Sequence, residues 1–153
     1  MGKKIYVGCD SAAVELKELA KKVFAEYNYE IIDLGVNSAS DQTMYPEVAH
    51  RVCTAMQNDK TACEGALFCG TGIGMSISAN KHKGIYAGVA HDNYAVERLR
   101  LSNNANVICM GARIIGPELA KKILREWCQL EFKDGSSTSK VNLIKEYENE
   151  FYK

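Results

Sequence analysis

The sequence predicts a single α/β domain, a Rossmann-like three-layer sandwich in which helices cover both faces of a five-stranded parallel sheet. Two observations predict this fold. Five short apolar segments alternate with segments of helical periodicity, and repeated strand–helix units form parallel sheets. The chain has 153 residues without an internal repeat, a low-complexity stretch or a linker, so one domain spanning 1–153 is expected.

Strands are expected where apolar and β-branched residues run together. These segments are 3–9, 30–34, 65–69, 85–90 and 106–110. Strands that are buried on both faces of a parallel sheet have such continuous apolar runs. Since a turn and a helical segment follow each run, every strand is expected to point the same way.

Helices are expected where apolar residues recur every three or four positions. The first covers 11–27, with Ser11 as its N-cap and an apolar face made of Ala13, Leu16, Ala20, Val23 and Phe24. Prolines suit the first turns of the helices at 46–57 and 117–132. One further helix is expected to end near 81, and another is expected to cover 92–101. The last helix, about 140–151, follows a polar loop. Its apolar side chains could dock on this domain or on a partner subunit, and the sequence leaves both open.

Composition limits the partners and ligands of the chain. Nineteen Lys and Arg balance nineteen Asp and Glu, so neither nucleic acid nor an anionic membrane is an expected partner. No apolar run has the roughly 18 residues of a membrane span, and no secretion signal precedes the first strand. The six cysteines form no CxxC pair and are expected to be free thiols in the cytoplasm. The three histidines lie at no ligand spacing with cysteines, so no metal site is expected.

The segment after the third strand is the most informative part of the chain. Cys69 ends that strand, and Gly70, Gly72 and Gly74 follow at every second position before a helix begins. Glycines let backbone N–H groups close on an anion, and the helix directs its partial positive charge to the same point. A thiol has an ordinary pKa of roughly 8.5, which a helix N-terminus lowers toward the working range of a base. The segment therefore predicts a base beside a binding site for an oxyanion.

Other functions of glycine-rich loops fit this segment less well. A dinucleotide fingerprint needs a further glycine where Met75 stands, and it usually follows the first strand of its unit. A phosphate-transfer loop needs a lysine before Ser76, and a cysteine phosphatase needs an arginine at position 75. A loop that only packs a helix on a strand stays an alternative on this segment alone.

Parallel sheets bind ligands outside the carboxyl ends of their strands. The chemically useful residues that follow the predicted strands are expected there: Asp10, Ser11, Tyr45, Cys69, His91, Asp92 and Arg113. His91 is expected either to contact substrate, as a proton shuttle or phosphate ligand, or to cap the next helix beside Tyr94. The sequence leaves both roles open. His50 is expected on a solvated helix face, and His82 near a helix end.

Six motifs of the chain occur in the order of one known family: Gly8-Cys9-Asp10, Tyr45-Pro46, Cys69-Gly70-Thr71-Gly72-Ile73-Gly74, Ser78-Ala79-Asn80-Lys81, Asn103-Asn104-Ala105-Asn106 and Gly111-Ala112-Arg113. Through them the chain resembles the ribose-5-phosphate isomerase B family, from residue 3 to about 147. The resemblance implies an enzyme that interconverts phosphorylated aldoses and ketoses without a metal or organic cofactor. It also implies a homodimer or homotetramer with its sites at the subunit interface.

The resemblance implies a role for each matching residue. Cys69 is expected to move a proton between C1 and C2 of the sugar through a cis-enediolate. Thr71 and the loop amides are expected to hold the oxyanion (Gly70, Gly72, Ile73 and Gly74). Asp10 is expected to hydrogen-bond substrate hydroxyls, and Tyr45 to line the pocket. Asn103 and Arg113 are expected to enter from a second subunit, Arg113 at the phosphate.

The chain also departs from the family's usual residues. Ser11 and Ser102 stand where histidines are usual, and the second of those histidines is credited with opening the furanose ring of a pentose phosphate. Lys140 stands in place of a phosphate-binding arginine, so a single ammonium replaces a forked donor. All three are still expected to contact substrate.

The resemblance implies the ribose 5-phosphate/ribulose 5-phosphate pair as substrate, whereas these departures favour a four-carbon sugar phosphate, and the sequence leaves both open. A tetrose 4-phosphate cannot close a furanose because its C4 hydroxyl is esterified, and it therefore needs no ring-opening histidine. The stretch Ala90-His91-Asp92-Asn93-Tyr94, with Asp10-Ser11-Ala12, also resembles the D-erythrulose-4-phosphate isomerase branch of the family. A non-catalytic sugar-phosphate sensor with the same pocket is the alternative, although a sensor has no need of a thiol base.

Overall fold

The computed structural model describes residues 2–152 and confirms the predicted fold class; Met1 and Lys153 of the predicted domain lie outside the described residues. Five parallel strands form one sheet in the order β2-β1-β3-β5-β4. Their bounds are β1 Lys4–Cys9, β2 Glu30–Asp33, β3 Cys63–Cys69, β4 Ala87–Val89 and β5 Val107–Gly111. β3 is the central strand, with β5 beside it, and both are buried and apolar apart from Glu64 near the start of β3.

Helices cover both faces of this sheet. Their bounds are α1 Val14–Glu26, α2 Tyr45–Asn58, α3 Ile73–Ala79, α4 Asn93–Leu101, α5 Pro117–Gln129 and α6 Thr138–Phe151. α5 packs against both α1 and α4 on one face, while α2 packs against α3 on the other. No helix within residues 2–152 is long and apolar enough to cross a membrane.

The start of α1 differs from the sequence prediction. The helix begins at Val14 with Ala13 as its N-cap, so Ser11 is not the cap. The carboxylate of Asp10 accepts the N–H of Ala12 at 3.0 Å, and its carbonyl accepts that of Ala13 at 3.2 Å. These bonds fold residues 10–13 into a turn that keeps Ser11 outside the helix.

Two buried charged clusters hold the layers together. The Nζ of Lys17 is fully buried and bonds Asp33 at 2.9 Å and the carbonyl of Val36 at 2.8 Å, which fixes the turn after β2. The second cluster lies at the amino end of β3, where Glu64 accepts three hydrogen bonds of 2.9 Å, from Arg100, Tyr29 and Trp127.

All six cysteines are free, as predicted, and five of them are buried.

Candidate active site

The site begins where β1 and β3 end side by side. Cys9 pairs with Phe68, and the N–H of Asp10 donates to the carbonyl of Phe68 at 3.2 Å. Continuing this register by one residue places Asp10 next to Cys69. The chain turns to opposite sides of the sheet on leaving β1 and β3, and such a switch point opens a crevice for a ligand.

The Cys69 sulfur is held by its own loop. The thiol is 5% exposed, and its Sγ accepts the N–H of Gly72 at 3.1 Å. Gly72 has φ of 77°, a left-handed conformation that glycine adopts without strain. This turn brings the loop back over the sulfur, and the hydroxyl of Thr71 then accepts the N–H of Ile73 at 3.3 Å.

Two N–H groups near the start of α3 lack a hydrogen-bond acceptor among the described residues, and they differ in burial. Gly74 and Met75 occupy the first turn of α3, where N–H groups lack intrahelical acceptors. Within residues 2–152, neither group has another acceptor. Met75 is fully buried and Gly74 is half-buried, so the N–H of Gly74 is the one of these two donors that a ligand can approach, in the same loop as the Cys69 sulfur.

Tyr45 and Arg113 lie directly on this loop. A β-carbon added to Gly74 would be 2.6 Å from Cε2 of Tyr45, and one added to Gly70 would be 3.0 Å from Nη1 of Arg113. Tyr45 is the first residue of α2 rather than part of the preceding loop. Its ring is 40% exposed, so the ring covers one side of the loop and keeps a face open.

Within its own chain, Arg113 lies at the Gly70 end of the Cys69 loop. Its N–H donates to the carbonyl of Gly70 at 3.0 Å, and the N–H of Ala112 donates to the carbonyl of Cys69 at 2.9 Å. The strand order explains why Arg113 lies beside the Cys69 loop, since β5 is next to β3 and both strands end at the same edge of the sheet.

Ser11 lines a cavity of about 420 Å³ at this edge of the sheet. The cavity wall also includes Ala39, Ala112 and Pro117. Ser11 is half-buried, and the small side chains around it leave space that a larger residue would occupy.

Ser102 and Asn103 are at the opposite edge of the sheet from Cys69. They follow α4 and precede β5, whereas the Cys69 loop adjoins the end of β5. The five residues of β5 separate the two edges by roughly 13 Å, at about 3.3 Å per residue. The hydroxyl of Ser102 accepts a bond from Arg98 at 3.2 Å. The structure therefore does not bring Ser102 and Asn103 to the Cys69 of the same chain.

Lys140 also stands apart from the Cys69 loop. It lies in the first turn of α6, which begins two residues earlier than predicted, and its side chain is exposed. Within residues 2–152 its ammonium forms no hydrogen bond or ion pair. The far end of α6 is fixed elsewhere, since Glu148 accepts the N–H of Gly84 and the hydroxyl of Tyr86.

His91 bonds the main chain of β5. Its Nε2 accepts the N–H of Gly111 at 2.8 Å. Burial lowers the pKa of His91, partly opposed by the neighbouring Asp92. His91 does not cap the next helix, because Asp92 caps it by accepting the N–H of Ala95 at 2.7 Å.

One pair of histidines was not anticipated. His50 Nδ1 and His82 Nε2 are 2.8 Å apart, so His50 is more than a solvated residue of α2. His82 also bonds the carbonyls of Ser78 and Ala79 at the end of α3. The pair joins α2 to α3, and no local sequence signal marks it because the two residues are 32 positions apart.

A sequence model described as ribose/galactose isomerase matches residues 5–144.

The chain belongs to this family.

Relatives of this isomerase family cover nearly the whole chain. D-erythrulose-4-phosphate isomerase of Pectobacterium atrosepticum is 43% identical over 146 residues, which are 95% of each protein. Ribose-5-P isomerase B of Listeria innocua is 42% identical over 143 residues, 94% of this chain and 95% of that protein. The solved structure of ribose-5-phosphate isomerase B from Clostridium thermocellum matches with a TM-score of 0.89 and 34% identity, over 97% of this chain and 99% of the other. The expected family and enzyme class, an aldose–ketose isomerase, are confirmed.

Proposed function

We propose that this chain isomerises a short phosphorylated sugar with Cys69 as the base. The observation that carries the proposal is the Cys69 sulfur in one loop with the N–H group of Gly74, which is half-buried and has no acceptor within residues 2–152. The Cys69 thiolate removes the proton from C2 of the aldose, and the electron pair forms the C1=C2 bond of a cis-enediolate. As the C1=C2 bond forms, the C1=O π pair moves onto O1, and the loop N–H groups and Thr71 stabilise this oxyanion. The proton then returns to C1, while the hydroxyl on C2 passes its proton to O1 and becomes the carbonyl group of the ketose. No oxidant or reductant is needed, because one carbon is oxidised as the other is reduced.

The other polar residues at this edge bind the rest of the substrate in this proposal. Asp10, next to Cys69, accepts hydrogen bonds from the hydroxyls, and Tyr45 covers the loop. Arg113 binds the phosphate from the same chain, since its guanidinium lies on Gly70. An arginine suits this role because its planar fork matches the geometry of a phosphate.

The proposal includes a homodimer or homotetramer in which a second chain completes each site. Ser102, Asn103 and Lys140 can contact the substrate only from a partner, because they lie away from Cys69 in their own chain. The exposed apolar face of α6 supports an interface: its Leu143, Ile144, Tyr147 and Phe151 are exposed and Val141 alone is buried. An apolar face of this kind favours burial against another chain. The free state of all six thiols supports action in the reducing cytoplasm.

A mixing experiment tests whether the sites are composite. Cys69→Ala and Asn103→Ala are each expected to be nearly inactive alone. If each site combines Cys69 of one chain with Asn103 of the other, one of the two sites in every mixed dimer is intact, and random mixing restores about a quarter of wild-type activity. No recovery after verified subunit exchange would show that the two residues do not share a site across chains.

The proposed substrate is a tetrose phosphate, the D-erythrose 4-phosphate/D-erythrulose 4-phosphate pair. Ser11 and Ser102 support it, because an open-chain tetrose needs no histidine to open a ring. The Pectobacterium relative, named D-erythrulose-4-phosphate isomerase, is in line with this choice. The second candidate is the ribose 5-phosphate/ribulose 5-phosphate pair, favoured by the name of the Listeria relative.

A coupled isomerase assay on erythrose 4-phosphate and ribose 5-phosphate tests both points. We expect a higher kcat/KM for the tetrose, and Ser102→His is expected to improve turnover of ribose 5-phosphate alone. Rapid turnover of ribose 5-phosphate with none of the tetrose would reject the tetrose proposal.

The role of Cys69 is tested with a matched pair of variants. Loss of general base catalysis lowers rates by roughly 10²–10⁴-fold, and we expect Cys69→Ala to show at least this decrease in kcat. Cys63→Ala, at the far end of the same strand, is expected to keep wild-type kcat. Equal activity of both variants would refute the mechanism, and binding without turnover of any short sugar phosphate would favour a sensor.

A further inference from the structure

We propose that His91 is a positioning residue that holds the Cys69–Gly74 loop in place through the main chain of Gly111. This inference rests on the proposed function, because it concerns the geometry of the same loop. It replaces the expectation that His91 contacts the substrate or transfers protons. The argument depends on where His91 binds β5 and on what lies behind that point.

His91 takes the place of a missing backbone acceptor. The β4–β5 ladder advances by two residues at a time: the N–H of Val107 donates to Tyr86, and Ala90 donates back to Cys109. Continuing this parallel pattern, the N–H of Gly111 would donate to the carbonyl of Ala90. β4 ends at Val89, and the N–H of Gly111 instead donates to His91 Nε2 at 2.8 Å. The imidazole therefore extends the sheet by one bond beyond the end of the edge strand.

Gly111 is in direct contact with the proposed oxyanion loop. A β-carbon on Gly111 would be 2.4 Å from Cα of Thr71 and 2.7 Å from the carbonyl oxygen of Gly70. The next two residues, Ala112 and Arg113, donate their N–H groups to Cys69 and Gly70. The end of β5 is thus the surface against which the loop is formed. A shift of Gly111 moves the loop, because no side chain lies between them.

The Gly111 bond requires a neutral imidazole. Nε2 accepts a hydrogen only when it carries none, so the second ring nitrogen, Nδ1, holds the single proton. Burial lowers the pKa of His91 and keeps the ring neutral near pH 7, while the adjacent Asp92 favours the charged ring. The other ionisable groups of the neighbouring segments are Arg113 and Cys69 at the ends of β5 and β3, and Glu126 of α5, which bonds Asn93.

Two substitutions separate the bond from the imidazole itself. In His91→Gln, the side-chain carbonyl oxygen occupies nearly the position of Nε2 and can accept the Gly111 N–H without ionising. In His91→Leu, the bulk remains and the acceptor is lost. A misplacement of about 1 Å in a catalytic group costs about 10²-fold. We expect His91→Leu to lower kcat 10- to 100-fold with little change in KM, and His91→Gln to stay within about threefold of wild type.

The pH dependence of kcat distinguishes positioning through the Gly111 bond from a role of His91 in stability alone. Protonation of His91 breaks the Gly111 bond, so wild-type kcat should fall as the pH decreases below about 6.5. The His91→Gln enzyme should show a smaller decrease over the same pH range. If His91→Gln is as inactive as His91→Leu, the imidazole acts on the substrate directly and the proposal is wrong. If His91→Leu keeps wild-type kcat, the bond has no role in positioning.

A measurement without substrate distinguishes this proposal from the proposed function. In ¹⁵N NMR spectra, the amide signals of Gly70, Gly72 and Gly111 should shift together as His91 titrates in the wild type, and should stay constant in His91→Gln. His50→Gln, which removes a histidine from the other face of the sheet, is the control and should titrate like wild type. Amides of the loop that do not respond to His91 would overturn the inference even if the enzyme is active. A response in a chain that isomerises no sugar phosphate would support the inference and reject the proposed function.

Discussion

Gly74→Ala tests whether the close contact between the Cys69 loop and Tyr45 is needed for activity. The added methyl would lie 2.6, 2.7 and 3.1 Å from three atoms of the Tyr45 ring. Ordinary van der Waals contacts between carbons are about 3.5–4.0 Å, so the ring or the loop must move by about 1 Å. A displacement of this size in a catalytic loop costs about 10²-fold, equivalent to about 2.7 kcal/mol of transition-state stabilisation.

The same substitution has opposing effects on stability. Gly74 is the second residue of α3, and alanine is favoured over glycine within a helix by about 1 kcal/mol. Overpacking costs about 1–3 kcal/mol, so the two effects nearly cancel. We therefore expect kcat/KM to fall about 10²-fold while the free energy of unfolding changes by less than about 2 kcal/mol.

The assay combines isomerase kinetics with urea unfolding at one protein concentration. Gly116→Ala is the control, because an added β-carbon there has no neighbour within 4 Å. In a double-mutant cycle, Gly74→Ala should cost much less activity when Tyr45 is replaced by Leu, since the obstructing ring is gone. Gly74→Ala with kcat/KM within threefold of wild type would refute the reasoning, and equal losses in both backgrounds would show that Tyr45 is not the cause.

Two further predictions concern the buried charges. Removing one partner of a buried ion pair costs about 3–5 kcal/mol, so Glu64→Gln, which leaves the charge of Arg100 without its partner, should lower Tm by roughly 6–20 °C in a calorimetric scan. The kcat should be unchanged, because Glu64 lies at the opposite end of β3 from Cys69. A loss of kcat without a lower Tm would contradict this prediction. Burial raises the pKa of Asp33, but its bonds with Lys21, Lys17 and the N–H of Gly35 outweigh burial and hold the pKa below 3.8. The contribution of Asp33 to the free energy of unfolding should therefore be fully present above pH 3.8 and be lost as the pH falls through the lower pKa of the folded state. In urea unfolding between pH 5 and 3, the free energy of unfolding of Asp33→Asn should depend less on pH than that of the wild type. An unchanged pH dependence would exclude this role of Asp33.

The residues of the candidate site differ in how far the sequence could predict them. Cys69, Gly72 and Thr71 interact within one loop, and the spacing of the glycines already predicts an anion site there. The N-cap was mispredicted at Ser11 because a serine before an apolar run is a common cap, whereas the Asp10 turn displaces the helix start to Val14. The error is local and has a local cause.

The amino-acid sequence alone predicts that this chain forms a parallel α/β sheet with a thiol beside a glycine loop. These features depend on the periodicity of apolar residues and on residues that are close in the chain, and both can be read from the sequence. Folding of the whole domain is needed to bring Arg113 onto Gly70 of its own chain, Tyr45 onto Gly74 and His91 onto the N–H of Gly111. Each of these contacts joins residues at least 20 positions apart, and the order and register of the strands, which the packing of the whole sheet sets, bring them together.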